Sequence, residues 1–352
     1  MSDGADSSGR PEGTDRTPVS GAGWSIRAGG YTAEIASVGA SLRALRMDAG
    51  SAGGTGAGPA RDLIVPFDAD ELRPALRGGV LAPWPNRLAD GRYRFGGEEH
   101  QLPITEPELR TAAHGLVTWL DFAPVDAQDD RLVLSARIQP QPGYPWRVRV
   151  DVEFAVSAEG FTQRITATNE SATPAPFGAG AHPYLVAGEP VPGAVDDWVL
   201  ELPASEVLRV TADRLLPDGV APVDGLDGGP DGGRDDGPDG GRDGGAFDFR
   251  RPRLIEGTEL NNAFTALTPD GDGVVTARLT GPDGHGVEAR WPLSEAPWVQ
   301  LYTADAGPAE TRRHALALEP MTCPPDAFNS GVDLLVLEPG GSARLEWMLR
   351  AV

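Results

Sequence analysis

The chain has 352 residues, with 52 acidic against 30 basic side chains and a net charge of −22. That balance argues against nucleic acid and anionic membrane as partners. All 30 basic side chains are arginine, which excludes Schiff-base chemistry and a lysine-bearing phosphate loop, and the lone Cys323 excludes an intrachain disulfide and a multi-thiolate metal site.

Residues 1–23 have no hydrophobic stretch of the kind a secretion signal needs and read as a disordered leader. No apolar run approaches the roughly 20 residues of a membrane span, so a soluble, cytoplasmic protein is expected. From Trp24 to Met47 apolar and polar residues alternate, broken at Gly29-Gly30 and at Gly39, which predicts strands joined by tight turns. A short strand is expected over 62–67 and a hairpin over 92–102, turning at Gly96-Gly97. RLVLSARI, WRVRVDVEFAVS and FTQRITATN between Arg131 and Asn169 are strands about 10 residues apart, the spacing of a sandwich or barrel. Further strands are expected in WVLELPA, VLRVTA, VVTARLTG, VEARWPL, WVQLYTA and LLVLEPGGSARLEWMLRAV. No helix of ten or more residues is evident, so the class is all-β with antiparallel pairing. A single domain is expected over 24–352, since all-β domains often exceed the usual length of about 150 residues.

The segment at about 225–246 departs from this pattern. Residues 225–245 contain ten glycines and six aspartates, including two nearly identical octads at 229–236 and 237–244. Calcium-binding β-rolls need more copies and an interleaved apolar residue, so this reads as a disordered surface insertion.

Four stretches carry residues suited to chemistry. In Leu316–Thr322 a strand runs up to Glu319 before Pro320 blocks further pairing. Alternation places Ala315, Ala317 and Glu319 on one face and His314, Leu316 and Leu318 on the other. A carboxylate flanked by alanines suits the floor of a cleft, and a solvent-facing strand end is the plainer reading. His114 lies in Ala113-His114-Gly115 with Trp119 nearby, and His182 in Phe177-Gly178-Ala179-Gly180-Ala181-His182-Pro183-Tyr184, whose small residues would bring backbone close to the imidazole. A histidine beside glycine is more often structural than catalytic. The stretch Pro83-Trp84-Pro85-Asn86-Arg87 is stiffened by two prolines and could present fixed donors to a polyhydroxylated ligand, or Arg87 could simply pair with a surface carboxylate. His100, His285 and His314 have structural explanations.

Together these motifs resemble the aldose 1-epimerase (galactose mutarotase) family. The matching elements run in the family's order: Pro83–Arg87 with Asp90-Gly91, His114-Gly115, Gly180–Tyr184, Asp248-Phe249-Arg250, Trp298–Thr303 and Glu319–Thr322. The resemblance implies a large antiparallel β-sandwich of the galactose mutarotase-like kind and an isomerase that interconverts α and β anomers of a free aldose. It further implies Glu319 as general base and His182 as general acid, with Asn86, Arg87, His114, Tyr184, Asn261 and Gln300 on the sugar, and no metal or other cofactor. Asn261 stands where the family has an aspartate, so it keeps an acceptor oxygen but loses the charge. Opposite charges side by side would lower the Glu319 pKa and raise that of His182, giving Glu319 the acidic limb of the pH profile and His182 the alkaline one. The expected partner is a small sugar and the expected state a monomer or homodimer. Alternatives are a hexose-6-phosphate epimerase using Arg312 and Arg313, a non-catalytic carbohydrate-binding protein, and a zinc hydrolase with His114, His182 and Glu319 as ligands.

Overall fold

The computed structural model describes residues 16–50, 60–225 and 245–352. Long alternating segments become long strands. Val148–Ser157 buries Val148, Val150, Val152, Phe154 and Val156 and turns Arg149, Asp151 and Glu153 outward. Ser342–Ala351 does the same with Leu345, Trp347, Leu349 and Ala351. These two strands flank Gly160–Asn169 in a nine-stranded antiparallel sheet that extends from Ala123–Ala127 to Arg253–Leu254. On its outer face Glu153, Arg164 and Glu346 sit opposite one another in register, and Arg164 pairs with both carboxylates at 3.0 and 2.6 Å.

The second large sheet has eight strands. Its central path runs Ala204–Val210, Asn261–Leu267, Trp298–Tyr302, Leu316–Met321 and Gly180–Ala181, with Tyr184–Leu185 pairing the same Leu316–Met321 strand. One face contributes Phe264, Val299, Leu301, Leu316 and Leu318 to the large core. The N-terminal strands Gly23–Ala28, Tyr31–Ala36, Ser41–Met47 and Arg61–Asp62 form a third sheet, with turns at Gly29-Gly30 and Gly39, all at positive φ. This is an all-β antiparallel sandwich; the one α-helix among the described residues is the single turn Ala327–Ser330. No helix among them is long and apolar enough to cross a membrane.

Some boundaries differ from expectation. The strand expected over 62–67 shrinks to Arg61–Asp62, followed by an isolated bridge from Ile64 to Leu185. Within the expected leader, residues 1–15 lie outside the described residues. Residues 16–22 belong to the fold: the Ser20 N–H donates to Ala69 O at 2.9 Å, and its carbonyl accepts from the Val38 N–H at 3.1 Å. Residues 226–244 of the Gly/Asp segment also lie outside the described residues.

Candidate active site

The cleft opens on the other face of the eight-stranded sheet. Register pairs Gln300 with Glu319, Asn261 with Tyr302, and Ala317 with both Tyr302 and Tyr184. Directly opposed residues share a face, so Asn261, Gln300, Tyr302, Glu319 and Tyr184 project from the sheet together, with Ala317 between the two tyrosines. Further along the same strands, Leu208, Ala263, Trp298 and Met321 form a small separate apolar cluster.

The opposite wall comes from the Pro83–Arg87 stretch and the His114 turn. Arg87–Ala89 pairs with Thr111–Ala113, and the His114 N–H donates to Asn86 O at 2.8 Å. Asn86 and His114 both adopt left-handed φ, 55° and 61°. Gly115 follows at φ 78°, where a Cβ would lie 2.0 Å from the Ala82 carbonyl oxygen; glycine is required for that approach. The small residues before His182 serve a neighbour other than the one expected. A Cβ at Gly178 would meet Cys323 Sγ at 2.5 Å and Pro85 at 3.0 Å, and one at Gly180 would meet Pro85 at 3.1 Å. The space they leave is occupied by the prolyl wall instead of the imidazole. His182 is fixed through its backbone, its N–H donating to Gly79 O at 3.1 Å and its O accepting from the Gly78 N–H at 2.8 Å.

All eight residues singled out in the sequence line one cleft of about 580 Å³: Asn86, Arg87, His114, His182, Tyr184, Asn261, Gln300 and Glu319. That volume falls within the roughly 300–1,000 Å³ of ligand pockets. His182 Nε2 lies 3.4 Å from Glu319 Oε1, both side chains nearly completely buried. The His182 ring stacks on Tyr184 with 5.3 Å between centroids and 5° between planes, and meets His114 edge to face at 5.3 Å. Arg87 donates through Nε and Nη2 to both oxygens of Glu106, at 2.8 and 3.2 Å. It is therefore paired, as the plainer reading allowed, but to a carboxylate that itself lines the cleft. Gln300 Nε2 donates to Asn261 Oδ1 at 3.0 Å, which uses that oxygen and leaves the Asn261 amide donors for the cleft.

Burial pushes the Glu319 carboxyl up to about 8, against the opposing pull of the Arg87 guanidinium. Burial takes His182 well below the ordinary imidazole value, with His114 adding to the effect. His114 is brought down to about 3 by burial, and then by the positive charges of Arg87 and Arg73. The directions expected from charge pairing are thus reversed. Desolvation of two nearly inaccessible groups is the largest cause of both shifts, and it favours the neutral form of each.

His114, His182 and Glu319 each present a ligand atom within 4.8 Å of the others, so the three could gather around a divalent cation. However, Nδ1 of His182 is buried without a hydrogen-bond partner while its Nε2 faces Glu319. A metal-ligating imidazole is normally anchored through its second nitrogen.

The family model described as aldose 1-epimerase matches residues 24–228. The chain belongs to the aldose 1-epimerase family. YihR of Escherichia coli K12, described as uncharacterized, is 32% identical over 324 residues, 91% of this chain and 90% of that protein. Mouse galactose mutarotase is 29% identical over 181 residues, 48% of this chain and 50% of that one. Two solved structures share the epimerase fold: a GalM/aldose epimerase homologue from C. elegans (TM-score 0.75, 20% identity, 94% of this chain and 98% of that one) and galactose 1-epimerase from Lactobacillus acidophilus NCFM (0.68, 19%, 92% of each).

Glu106, Trp119 and Tyr302 also line the cleft and were not expected there. Tyr302 was within reach, because alternation along Trp298–Tyr302 puts it on the face of Gln300. Glu106 lies in an irregular stretch whose fold nothing local dictates. His100, held between Tyr93 and Trp146 at 5.0 and 5.2 Å, and His314, whose Nε2 is 3.0 Å from Arg77 Nη2, stand outside the cleft lining.

Proposed function

We propose that this chain is an aldose 1-epimerase that opens and recloses the ring of a free aldose with Glu319 as base and His182 as acid. The observation that carries this reading is the buried Glu319–His182 pair, 3.4 Å apart on the floor of a cleft lined by polar side chains. Anomerisation removes a proton from the C1 hydroxyl while the ring oxygen gains one. The open-chain aldehyde then rotates about its C1–C2 bond, and the same two groups run in reverse to close either face. Burial favours keeping the pair's single proton on Glu319. Sugar hydroxyls donating to the carboxylate favour its charged form, so moving that proton to His182 produces the base and the acid together. Asn86, Arg87, His114, Tyr184, Asn261 and Gln300 are assigned to holding the sugar.

A phosphorylated sugar fits less well. Arg87 is the one arginine lining the cleft among the described residues, and Glu106 occupies it. Arg313 is committed to Asp196 and Asp305, and Arg312 is exposed outside the lining. A protein that only binds carbohydrate would have no use for two buried ionisable groups in contact, since desolvating them is costly. We assign the activity to a cytoplasmic monomer or homodimer that needs neither nucleic acid nor membrane.

The test is polarimetry on freshly dissolved α-aldoses. The protein should accelerate mutarotation without added metal and in the presence of a chelator, and Glu319→Gln should lower the rate by about 10²–10⁴. Activity that vanishes with the chelator would favour a hydrolase-type metal site at His114, His182 and Glu319. A Glu319→Gln protein with wild-type rate would sink the mechanism.

A further inference from the structure

Arg73 is a buried cation that the chemistry above leaves unused. It is 7% exposed, no carboxylate among the described residues pairs with it, and its Nε has no hydrogen-bond partner. Burial brings its pKa down only to about 10, so the charge persists at neutral pH. Burying an unpaired charge is costly, which makes its position informative.

The side chain folds back over the loop that it begins. Ala75 and Leu76 line the cleft, and Gly78 and Gly79 hold His182 through its carbonyl and its N–H. Ala75 and Leu76 both sit at left-handed φ, 46° and 57°, a conformation that persists only where the surroundings hold it. Arg73 supplies that hold. A Cβ on Gly79 would lie 2.9 Å from Arg73 Nη1 and 3.2 Å from its Cζ, and one on Gly39 would also run into Nη1. Both glycines leave room for the guanidinium. From there Nη1 donates to Ser41 Oγ and Nη2 to the Thr118 carbonyl, while the Trp119 ring covers the group at 4.9 Å. Thr118 Oγ1 donates in turn to His114 O at 3.0 Å. One guanidinium thus joins the loop behind His182, the strand Ser41–Met47 and the turn behind His114.

We propose that Arg73 is a positioning residue of the cleft, a two-donor clamp that fixes the backbone carrying both His114 and His182. This rests on the epimerase reading above. Arg73 is not part of the cleft lining, so it acts through the histidines and not on the sugar. Proton transfer to a ring oxygen depends on the placement of the acid, and a misplacement of about 1 Å can cost on the order of 10²-fold. The charge works in the same direction. With His114 and Arg87 it disfavours the protonated form of His182, so an imidazolium formed there gives up its proton more readily.

The test pairs polarimetry on galactose with amide hydrogen exchange, in wild type, Arg73→Met and Arg73→Lys. Arg73→Met should lower kcat about tenfold and raise KM by less than about threefold. Protection of the Gly78, Gly79 and His182 amides should fall about tenfold or more, while that of Val148–Ser157 in the nine-stranded sheet stays as in wild type. Arg73→Lys keeps the charge without the planar fork and should stay closer to Arg73→Met than to wild type. Unchanged protection at the three amides, an equal fall across the sheet, or a lysine variant matching wild type would each overturn the clamp. If Arg73→Met does not fold, Ser41→Ala removes one acceptor of the clamp and should show the same local pattern at about threefold; wild-type protection and kcat in that variant would overturn the proposal. If wild type accelerates no sugar, the epimerase reading fails by itself, and the exchange pattern alone decides the clamp.

Discussion

Two carboxyl–imidazole arrangements with the same residues can behave oppositely, depending on which electrostatic effect prevails. Here desolvation does, raising Glu319 to about 8 and depressing His182. The working form carries a single proton on the pair. It is lost above the higher macroscopic value and becomes doubly protonated below the lower one. The kcat/KM profile should therefore be bell-shaped, with an alkaline limb near pH 8 that belongs to Glu319. The acidic limb, below the ordinary imidazole range, belongs to His182. Glu319→Gln should remove the alkaline limb from whatever activity remains; a limb at the same pH in that variant would assign it to another group. Asn261 supplies a second test. With its oxygen taken by Gln300 at 3.0 Å, it offers the ligand donors. Asn261→Asp would offer a charged acceptor instead, so KM and the ranking of aldoses should shift several-fold while kcat changes less. A collapse of kcat at unchanged KM would place Asn261 in the proton transfers.

The element that joins the two walls of the cleft is the continuation of the Glu319 strand. After Met321 the chain runs through Thr322 and Cys323 to Asp326, whose N–H donates to Arg87 O at 2.7 Å while its Oδ1 accepts from the Ala89 N–H at 2.9 Å. Asp326 thus grips the strand carrying Arg87 on both sides of Leu88, and Asn329 Nδ2 steadies the carboxylate at 2.8 Å. Asp326→Ala leaves the Ala89 donor without its partner, at a cost of about 1–3 kcal/mol, and should lower Tm by roughly 2–8 °C. It should raise KM more than it lowers kcat, because Arg87 loses its support and the acid–base pair does not. Asp326→Asn keeps an acceptor oxygen and should restore most of both; a variant matching Asp326→Ala would show that the charge, and not the bond, is what matters. This grip could not be read from sequence. Periodicity exposes strands such as Arg131–Ile138, found where it predicted them, and it places Glu319 and Gln300 on definite faces. It says nothing of irregular segments: Glu106, Trp119 and Asp326 each take their place from backbone turns set by distant contacts. The reversed pKa directions were hidden for the same reason, since burial is a property of the assembled cleft.

At the scale of the whole molecule, a chain with 52 acidic residues and no lysine spreads arginines among its carboxylates. Glu288, 1% exposed, is flanked by Arg278 and Arg350 at 2.7 Å each, and the Glu153–Arg164–Glu346 row crosses three neighbouring strands. The composition of the Gly/Asp stretch is different: residues 226–244 contain six aspartates, two arginines and, as their one large apolar side chain, Leu226. The described residues on either side are anchored to the fold. Val223, Phe247 and Phe249 are buried, Arg250 reaches across to Asp224 at 3.1 Å, and Arg253 Nη1 donates to Gly245 O at 3.1 Å. Pro217–Pro222, the strand leading into this region, pairs with Ala204–Val210, and Leu215 just before it lines the cleft. Damage to this part of the fold would therefore register in catalysis. Replacing 226–244 with a short Gly-Ser linker should leave kcat/KM within twofold and Tm within about 2 °C, because almost no apolar area is removed and a shorter closed loop costs only slightly less entropy. A loss of tenfold in kcat/KM, or a fall of 10 °C in Tm, would make the segment a working part of the cleft or the core.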